Sequence, residues 1–513
     1  MNTAAATAGD APGRVPGAGA GSGVVPPQRA AAPDGPSVAA GSAPAVRDRL
    51  RRTAHRLRER TAPLRRPRLD PYWTAGFFFL AYTVLACWHF RTLSTSSWDL
   101  GIFEQAIRGY AHFGAPIVDL KGPGTNILGD HFSPVLVLLA PLYRLFPSSL
   151  TLLIAQAALF ALSVLPVTRA AARSLGRLTG LAIGVAYGLS WGVQKAVDFD
   201  FHEIAFALPL IAFALEAVLR GRWTAVVCWA APLVLVKEDL GVTAATIGAL
   251  ALIRTRRASP LAIGLVAFGL SATAITLGVL IPGFNGSGSY DYWSKFGAEG
   301  GGAAIPLVTA VRTTLWVLLP TTGLLALRSP LLLVALPTLG WRFLSHEPHY
   351  WGIDWHYNAV LMPVVFLALI DALPRIRVSA RPWLRSYAHH LPAAVLATAL
   401  ALTPTLPLAH LTEAATYRTP PTAVAAEKLL DRIPDGATVE SDIRPLSRLT
   451  GRTRVFWTGD TGGLSPDYVA VQLHDDRTPH QALADAMARH PRSTYVLLGT
   501  AGDLVVFHRT SAH

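Results

Sequence analysis

Lysine is nearly absent from this chain. In 513 residues it occurs only as Lys121, Lys195, Lys237, Lys295 and Lys428. Charged residues of all kinds make up 15%, where a soluble domain carries roughly a quarter, and 51% of residues are hydrophobic. That balance excludes an ordinary soluble enzyme, because so much apolar surface needs a sink larger than one core. Cysteine stops at Cys87 and Cys228, both inside apolar runs, so neither a disulfide framework nor a thiol site is indicated. The N-terminus lacks the charged-then-apolar pattern of a cleavable signal peptide. Residues 1–46 form an Ala/Gly/Pro/Ser tract without periodicity, which reads as a disordered tail.

What is present is a series of apolar runs, many of roughly 18 residues or more, the signature of membrane-spanning helices. The net charge of +13 points to topology rather than to nucleic acid. Residues 47–68 hold ten arginines against Asp48 and Glu59, a net +8, directly before the first apolar run. A basic block in that position marks a cytoplasmic flank, here 47–72, and no stacking aromatics interleave with it. Spans are expected near 73–90, 150–172, 178–193, 203–219, 223–236, 240–253, 259–281, 306–327, 330–344, 358–374 and 391–410. Eleven is an odd number, so the N-terminus is expected inside the cell membrane and the C-terminus outside.

The short apolar stretch 134–146 decides the register. If it spanned, the turn holding Arg173 and Arg177 would fall outside. Laid along the outer interface, it leaves that turn inside together with Arg220, Arg222, Arg254, Arg256, Arg257, Arg328 and the 375–385 arginines. Beyond 410 the pattern changes to short strands near 437–440, 454–457, 468–472, 494–498 and 504–508, with a helix near 481–489. Residues 411–513 are therefore expected to form a small extracytoplasmic α/β domain.

Acids, histidines and all five lysines gather on the outer side of this topology. Asp99, Glu104, Asp119, Asp130 and His131 fall in the first loop, 92–148; Asp198, Asp200, His202 and Glu203 in the second; Lys237-Glu238-Asp239 between two short apolar helices. Ionisable groups at membrane depth are costly, and a convergent set marks function more often than chance, although loops are also where polar residues belong. Residues 98–113 have helical periodicity, with Trp98, Ile102, Phe103, Ala106, Tyr110 and Phe113 on one face and Glu104, Gln105, Arg108 and His112 on the other. Asp99 falls on the apolar face, and Ser96-x-x-Asp99 also fits a helix-capping box. His346, Glu347, His349, Asp354 and His356, with His131 or His202, offer donors for a divalent metal, in a spacing that matches no zinc pattern.

The runs Trp98-Asp-Leu-Gly-Ile-Phe-Glu-Gln105, Asp130-His-Phe-Ser-Pro134, Ala140-Pro-Leu-Tyr143, Lys237-Glu-Asp239 and His356-Tyr-Asn358 resemble the bacterial predicted membrane-protein family of unknown function number 2079. More distantly, the acid after the first span, Phe103 four residues on, His131-x-x-Pro134 and the interfacial Leu-x-Pro-Leu-Tyr-x-Leu-Phe helix resemble the GT-C membrane glycosyltransferases. That resemblance implies a GT-C-like transmembrane domain over 73–410 and a sugar donor carried on a polyprenyl phosphate. It further implies Asp99 as the catalytic carboxylate. Glu104, His131, Lys195, His202, Glu203, Lys237, Glu238, Asp239 and His356 become the expected substrate-binding residues, with Lys195, Lys237 or a divalent metal supplying the cation beside the lipid phosphate. Asp99 is followed by Leu100, so a paired-acid form is absent. The rival readings are a non-catalytic protein of cell-envelope assembly or export, and a transporter. A transporter would carry charge at mid-membrane in both halves, whereas here the charge crowds one side.

Overall fold

The computed structural model describes residues 67–94, 96–296, 303–474 and 477–512. The expected tail 1–46 and most of the basic flank lie outside the described residues.

Every apolar run expected to span is helical. Asp70–Thr92, Ser149–Leu175, Pro260–Phe284 and His356–Arg377 are each long and apolar enough to cross a membrane by themselves. The other runs form shorter helices, among them Arg177–Gly188, Ala207–Leu219, Trp223–Ala230, Leu240–Thr255, Leu307–Thr322, Leu336–Leu344 and Pro382–Leu402. Burial sorts them. Residues 361–373 of the Leu361–Arg377 helix are all buried, so it forms the centre of the bundle. The Pro260–Phe284 helix instead shows Leu261, Ile263, Phe268, Leu270, Ile275 and Val279 on its outside, as a lipid-facing rim does.

Close packing at one crossing sets the position of a charged bend. A Cβ on Gly241 would meet the Gly269 carbonyl oxygen at 2.6 Å, and one on Gly269 would meet the Gly241 oxygen at 2.3 Å. Only glycines let the Leu240–Thr255 and Pro260–Ile275 helices come this near. Thr273 adds a hydrogen bond to the Glu238 carbonyl at 3.0 Å, which pins the bend Lys237–Asp239 to the neighbouring helix.

The stretch 134–145 is helical and runs along the bundle. Val135, Leu136, Leu139 and Tyr143 are buried on one face, while Val137, Leu138, Leu142 and Leu145 stay exposed on the other. The C-terminal part is a five-stranded sheet: β1 (Thr438–Ser441), β2 (Arg454–Trp457), β3 (Tyr468–Gln472), β4 (Ser493–Ala501) and β5 (Leu504–Ala512), in the order β2-β1-β3-β5-β4. β1 runs parallel to β2 and β3, and β5 runs antiparallel to β3 and β4. The helix Pro479–Arg489 opens with a reciprocal capping box between Thr478 and Gln481.

The sheet shares its hydrophobic core with the first loop. Ile102, Ala106, Val118, Leu120 and Ile127 pack in one cluster with Leu430, Val439, Leu449, Val455 and Val506. Asp119 clamps Arg454 of β2 through two bonds, 2.7 and 2.9 Å. The polar face of the Asp99–Ala111 helix is consequently not a solvated face. Gln105 donates to the Val455 carbonyl at 2.9 Å, and Arg108 donates to the carbonyls of Thr450 and Thr453 at 2.9 and 2.6 Å.

Candidate functional site

The start of the Asp99–Ala111 helix, the 127–131 turn, the 237–239 bend and the 290–296 and 336–357 segments enclose a cavity of about 930 Å³. Its wall is mainly apolar, with Trp98, Ile102, Phe103, Phe199, Leu277 and Trp341 among the lining. Into it project Asp99, Asp130, Glu238, Asp239 and Glu347, opposed by Lys121, Lys237 and Lys295, with His131, His202 and His349. An apolar chamber holding a few convergent polar groups is the form that ligand sites take.

Asp99 stands in the first turn of its helix, where a carboxylate is favoured by the exposed N–H groups. Ser97, not Ser96, anchors it: the Ser97 hydroxyl donates to Asp99 Oδ2 at 2.9 Å and accepts from the Asp99 N–H at 3.1 Å. Ser96 is engaged by Asp200 instead, through its N–H at 2.7 Å and its hydroxyl at 3.2 Å. Asp200 has a φ of +75°, a left-handed backbone that Gln156 supports by donating to its carbonyl at 2.6 Å. Burial pushes the Asp200 carboxyl up to about 6 against the opposing charge of His89 and the Ser96 bonds.

Several charged groups of the lining are tied to one another or to buried partners. Lys237 donates to Glu203 at 2.9 Å, and the second oxygen of Glu203 meets His202 Nδ1 at 2.6 Å. The His202 ring stacks on His356 with centroids 3.8 Å apart, and His356 makes no hydrogen bond through either ring nitrogen. On the other side Glu238 holds His131 Nδ1 at 2.7 Å and accepts from the Tyr290 hydroxyl at 3.0 Å. Lys121 pairs with Asp130 at 3.2 Å. Arg342 is fully buried and donates to the Tyr350 and Gly352 carbonyls and to Asn358 at 2.7, 2.8 and 2.9 Å, fixing the loop that carries Tyr350 to His356.

Of the residues expected from sequence, Asp99, His131, His202, Lys237, Glu238 and Asp239 line the cavity. Glu203 and His356 form its second layer. Lys195 and Glu104 are not among its lining residues. Glu104 is almost wholly buried, where its carboxylate accepts from Tyr143 at 2.9 Å, from Ser149 at 2.7 Å and from Thr450. Burial holds that carboxyl above its usual range even with three hydroxyl donors. It ties the Ala140–Leu145 helix, the Ser149–Leu175 helix and the sheet region together, which removes it from the cavity.

Sequence reasoning passed over Lys295. Its ammonium donates to the Tyr350 hydroxyl at 3.0 Å and lies over the rings of Tyr292 and Tyr350, 4.7 and 5.1 Å from their centroids. Among the described residues no carboxylate pairs with it at ion-pair distance, unlike Lys121 and Lys237. The rarity of lysine was the available signal. The donors considered for a divalent metal do not converge: His349 pairs with Glu347 at 2.6 Å, while His356 is stacked in the wall. Among the described residues no three His, Cys, Asp or Glu side chains form a metal-binding group.

A second, polar chamber of about 770 Å³ adjoins the first. Thr125, Asn126, Asn285, Asp291 and Ser294 line it, and Lys121, Asp130, Tyr292 and Lys295 belong to both walls. Gly129 lets the chambers' floor close, since a Cβ there would meet the Asn285 N–H nitrogen at 2.5 Å.

The fold is similar to that of a solved protein. The crystal structure of ArnT from Cupriavidus metallidurans bound to undecaprenyl phosphate superposes with a TM-score of 0.52 at 12% identity, covering 84% of this chain and 97% of that one. The same protein in the apo state gives 0.48 at 13% identity over 84% and 98%. At such identity the likeness concerns fold, and it is a distant resemblance to the GT-C membrane glycosyltransferases. No curated protein matches in sequence. Residues 89–490 match the family model described as predicted membrane protein (DUF2079), and the chain belongs to that family of membrane proteins.

Proposed function

We propose that this protein transfers a sugar from a polyprenyl-phosphate donor to an acceptor hydroxyl outside the cytoplasmic membrane. The observation that carries the reading is the cavity itself: a mainly apolar chamber of about 930 Å³ with Asp99 at one wall and at another the ammonium of Lys295, which is in ion-pair contact with no carboxylate among the described residues. In this reading the N-terminus is cytoplasmic, residues 73–410 are the transmembrane part, and the 92–148 loop and residues 411–513 are extracytoplasmic. The resemblance in fold to a protein solved with undecaprenyl phosphate supports it.

The chemistry follows from the groups present. The polyprenyl chain occupies the apolar wall and the acceptor approaches through the adjoining polar chamber. Asp99 takes the proton of the acceptor hydroxyl, whose oxygen forms the new bond to the anomeric carbon. The bond from that carbon to the lipid phosphate breaks, and the phosphate leaves with the bonding electrons. Lys295, with Lys121 near it in the shared wall, stabilises that charge, which is worth most where water is excluded. Lys237 holds the wall in shape through Glu203.

One observation favours a second reading, a non-catalytic role in envelope assembly or export: Leu100 stands where a paired acid would follow Asp99. Binding of undecaprenyl phosphate to the purified protein tests the donor side. The expected result is saturable binding that Lys295→Met weakens by about tenfold or more, the loss of one charge-assisted contact. Absence of saturable binding by the folded wild-type protein would overturn the reading.

A further inference from the structure

Three buried carboxylates hold the arginine-rich helix ends together. Asp70 takes Arg177 through two bonds of 2.6 and 3.0 Å. Asp371 takes Arg254 at 2.5 Å and Arg375 at 2.8 Å, with Ser329 at 2.6 Å. Glu216 differs from both, because it is crowded by three guanidinium groups. Arg169 donates to it from Nε at 2.7 Å and again from Nη2, Arg173 donates one helical turn further on, and Arg220 approaches to 3.9 Å.

The charge there does not close. One carboxylate faces Arg169, Arg173 and Arg220, and Arg222 lies two residues beyond. Among the described residues no second carboxylate pairs with any of the four. Glu216 is spent inward, its side chain 3% exposed, whereas the side chain of Arg173 is 44% exposed. Each guanidinium carries five N–H donors, and the bonds of Arg169 and Arg173 to Glu216 take up three of them, while the side chains of Arg169 and Arg220 are 29% and 30% exposed. Like charges this close are costly beside a low-dielectric region unless an anion joins them.

The surroundings describe that anion. Tyr72, 56% exposed, lies near Arg169, and Trp73 is 55% exposed next to it in the chain. Arg169 also lies over Phe213, which stacks on the partly exposed Trp229 at 4.6 Å. Aromatic side chains at the end of apolar helices sit at the depth of lipid headgroups. We propose that Arg169, Arg173, Arg220 and Arg222 form a binding site for the phosphodiester headgroup of an anionic phospholipid, with its acyl chains against the adjoining apolar helix faces. The site is at the arginine-rich helix ends and is independent of the transferase reading.

The test is lipid retention by the full-length protein in native mass spectrometry, comparing phosphatidylglycerol with phosphatidylcholine. The wild-type protein is expected to retain phosphatidylglycerol preferentially, and less of it as salt rises. A basic residue near an anionic surface is worth about fivefold in binding, so Arg173→Gln with Arg220→Gln lowers the preference by about 30-fold. Arg173→Lys with Arg220→Lys keeps most of it, and Arg257→Gln leaves it unchanged. Equal retention of the two lipids by the wild-type protein overturns the site, whether or not the glutamine variant folds. An undiminished preference in a folded glutamine variant overturns its location. Displacement of the lipid by millimolar inorganic phosphate overturns the assignment to a lipid.

Discussion

Glu203 accepts a hydrogen bond from the Lys237 ammonium at 2.9 Å, in a wall where the Glu203 side chain has no exposure and that of Lys237 13%. Breaking such a pair strands the surviving charge, at a cost of about 3–5 kcal/mol, whereas replacing both partners by apolar groups costs far less. Glu203→Gln is therefore expected to lower the thermal midpoint strongly, and Glu203→Leu with Lys237→Met to recover much of the loss. Thermal unfolding of the single and double variants in detergent checks this, and strictly additive losses would contradict the pairing.

Glu104 has a comparable structural part at another place. Glu104→Leu leaves the hydroxyls of Tyr143, Ser149 and Thr450 without their shared acceptor, with an expected loss of about 2–4 kcal/mol. The sheet should loosen from the helices, so limited proteolysis ought to release fragments from residues 411–512 earlier than in the wild-type protein. Unchanged proteolysis together with lost ligand binding would instead return Glu104 to the cavity.

Asp200 gives the fold a pH dependence. Its carboxyl is raised to about 6 in the folded protein, above the roughly 3.9 of an unfolded chain. The folded state thus binds the proton more readily, and stability rises as pH falls from neutral through about 6 towards 4. Ionisation at higher pH removes that gain. Asp200→Asn keeps an acceptor for Ser96 and should flatten the dependence, with a wild-type-to-variant difference changing by about 1–2 kcal/mol between pH 7.5 and 5. Parallel midpoint-versus-pH curves for the two proteins would contradict the account.

The orientation can be read by labelling. Ser289 is exposed in the loop after the Pro260–Phe284 helix, and Ser174 is exposed at the arginine-rich end of the Ser149–Leu175 helix. With Cys87 and Cys228 replaced, a cysteine at Ser289 is expected to react with a membrane-impermeant reagent on intact cells, and one at Ser174 only after lysis. The reverse pattern would invert the topology.

Much of the architecture was legible because hydropathy acts locally. Each apolar run became helix, and the alternation around Arg454–Trp457 and Tyr468–Gln472 gave strands at those positions. The C-terminal sheet runs further than its pattern, since β4 and β5 are nine residues long each and continue beyond the hydrophobic alternation. Periodicity also separated the two faces of the Asp99–Ala111 helix but left open what covers the polar one. A period of 3.6 says which residues share a face, not what covers it. Here the covering surface is the far end of the chain, whose Thr450, Thr453 and Val455 present carbonyls and a hydroxyl to Glu104, Gln105 and Arg108.

The site shows the same division. Lys237-Glu238-Asp239 was visible as charge between two apolar helices. Its pairing with Glu203 and His131 was not, because residues 131, 203 and 237 meet only through tertiary packing. Lys295 looked like one more loop lysine until the rings of Tyr292 and Tyr350 were found around it.

The central claim is that Asp99 serves sugar transfer, and one measurement addresses it: transfer of a labelled sugar from a polyprenyl-phosphate donor by proteoliposomes carrying the wild-type protein or Asp99→Asn. The account predicts transfer by the wild-type protein and its abolition in Asp99→Asn, with the variant's thermal midpoint and undecaprenyl-phosphate binding retained. Full transfer activity in Asp99→Asn would contradict it.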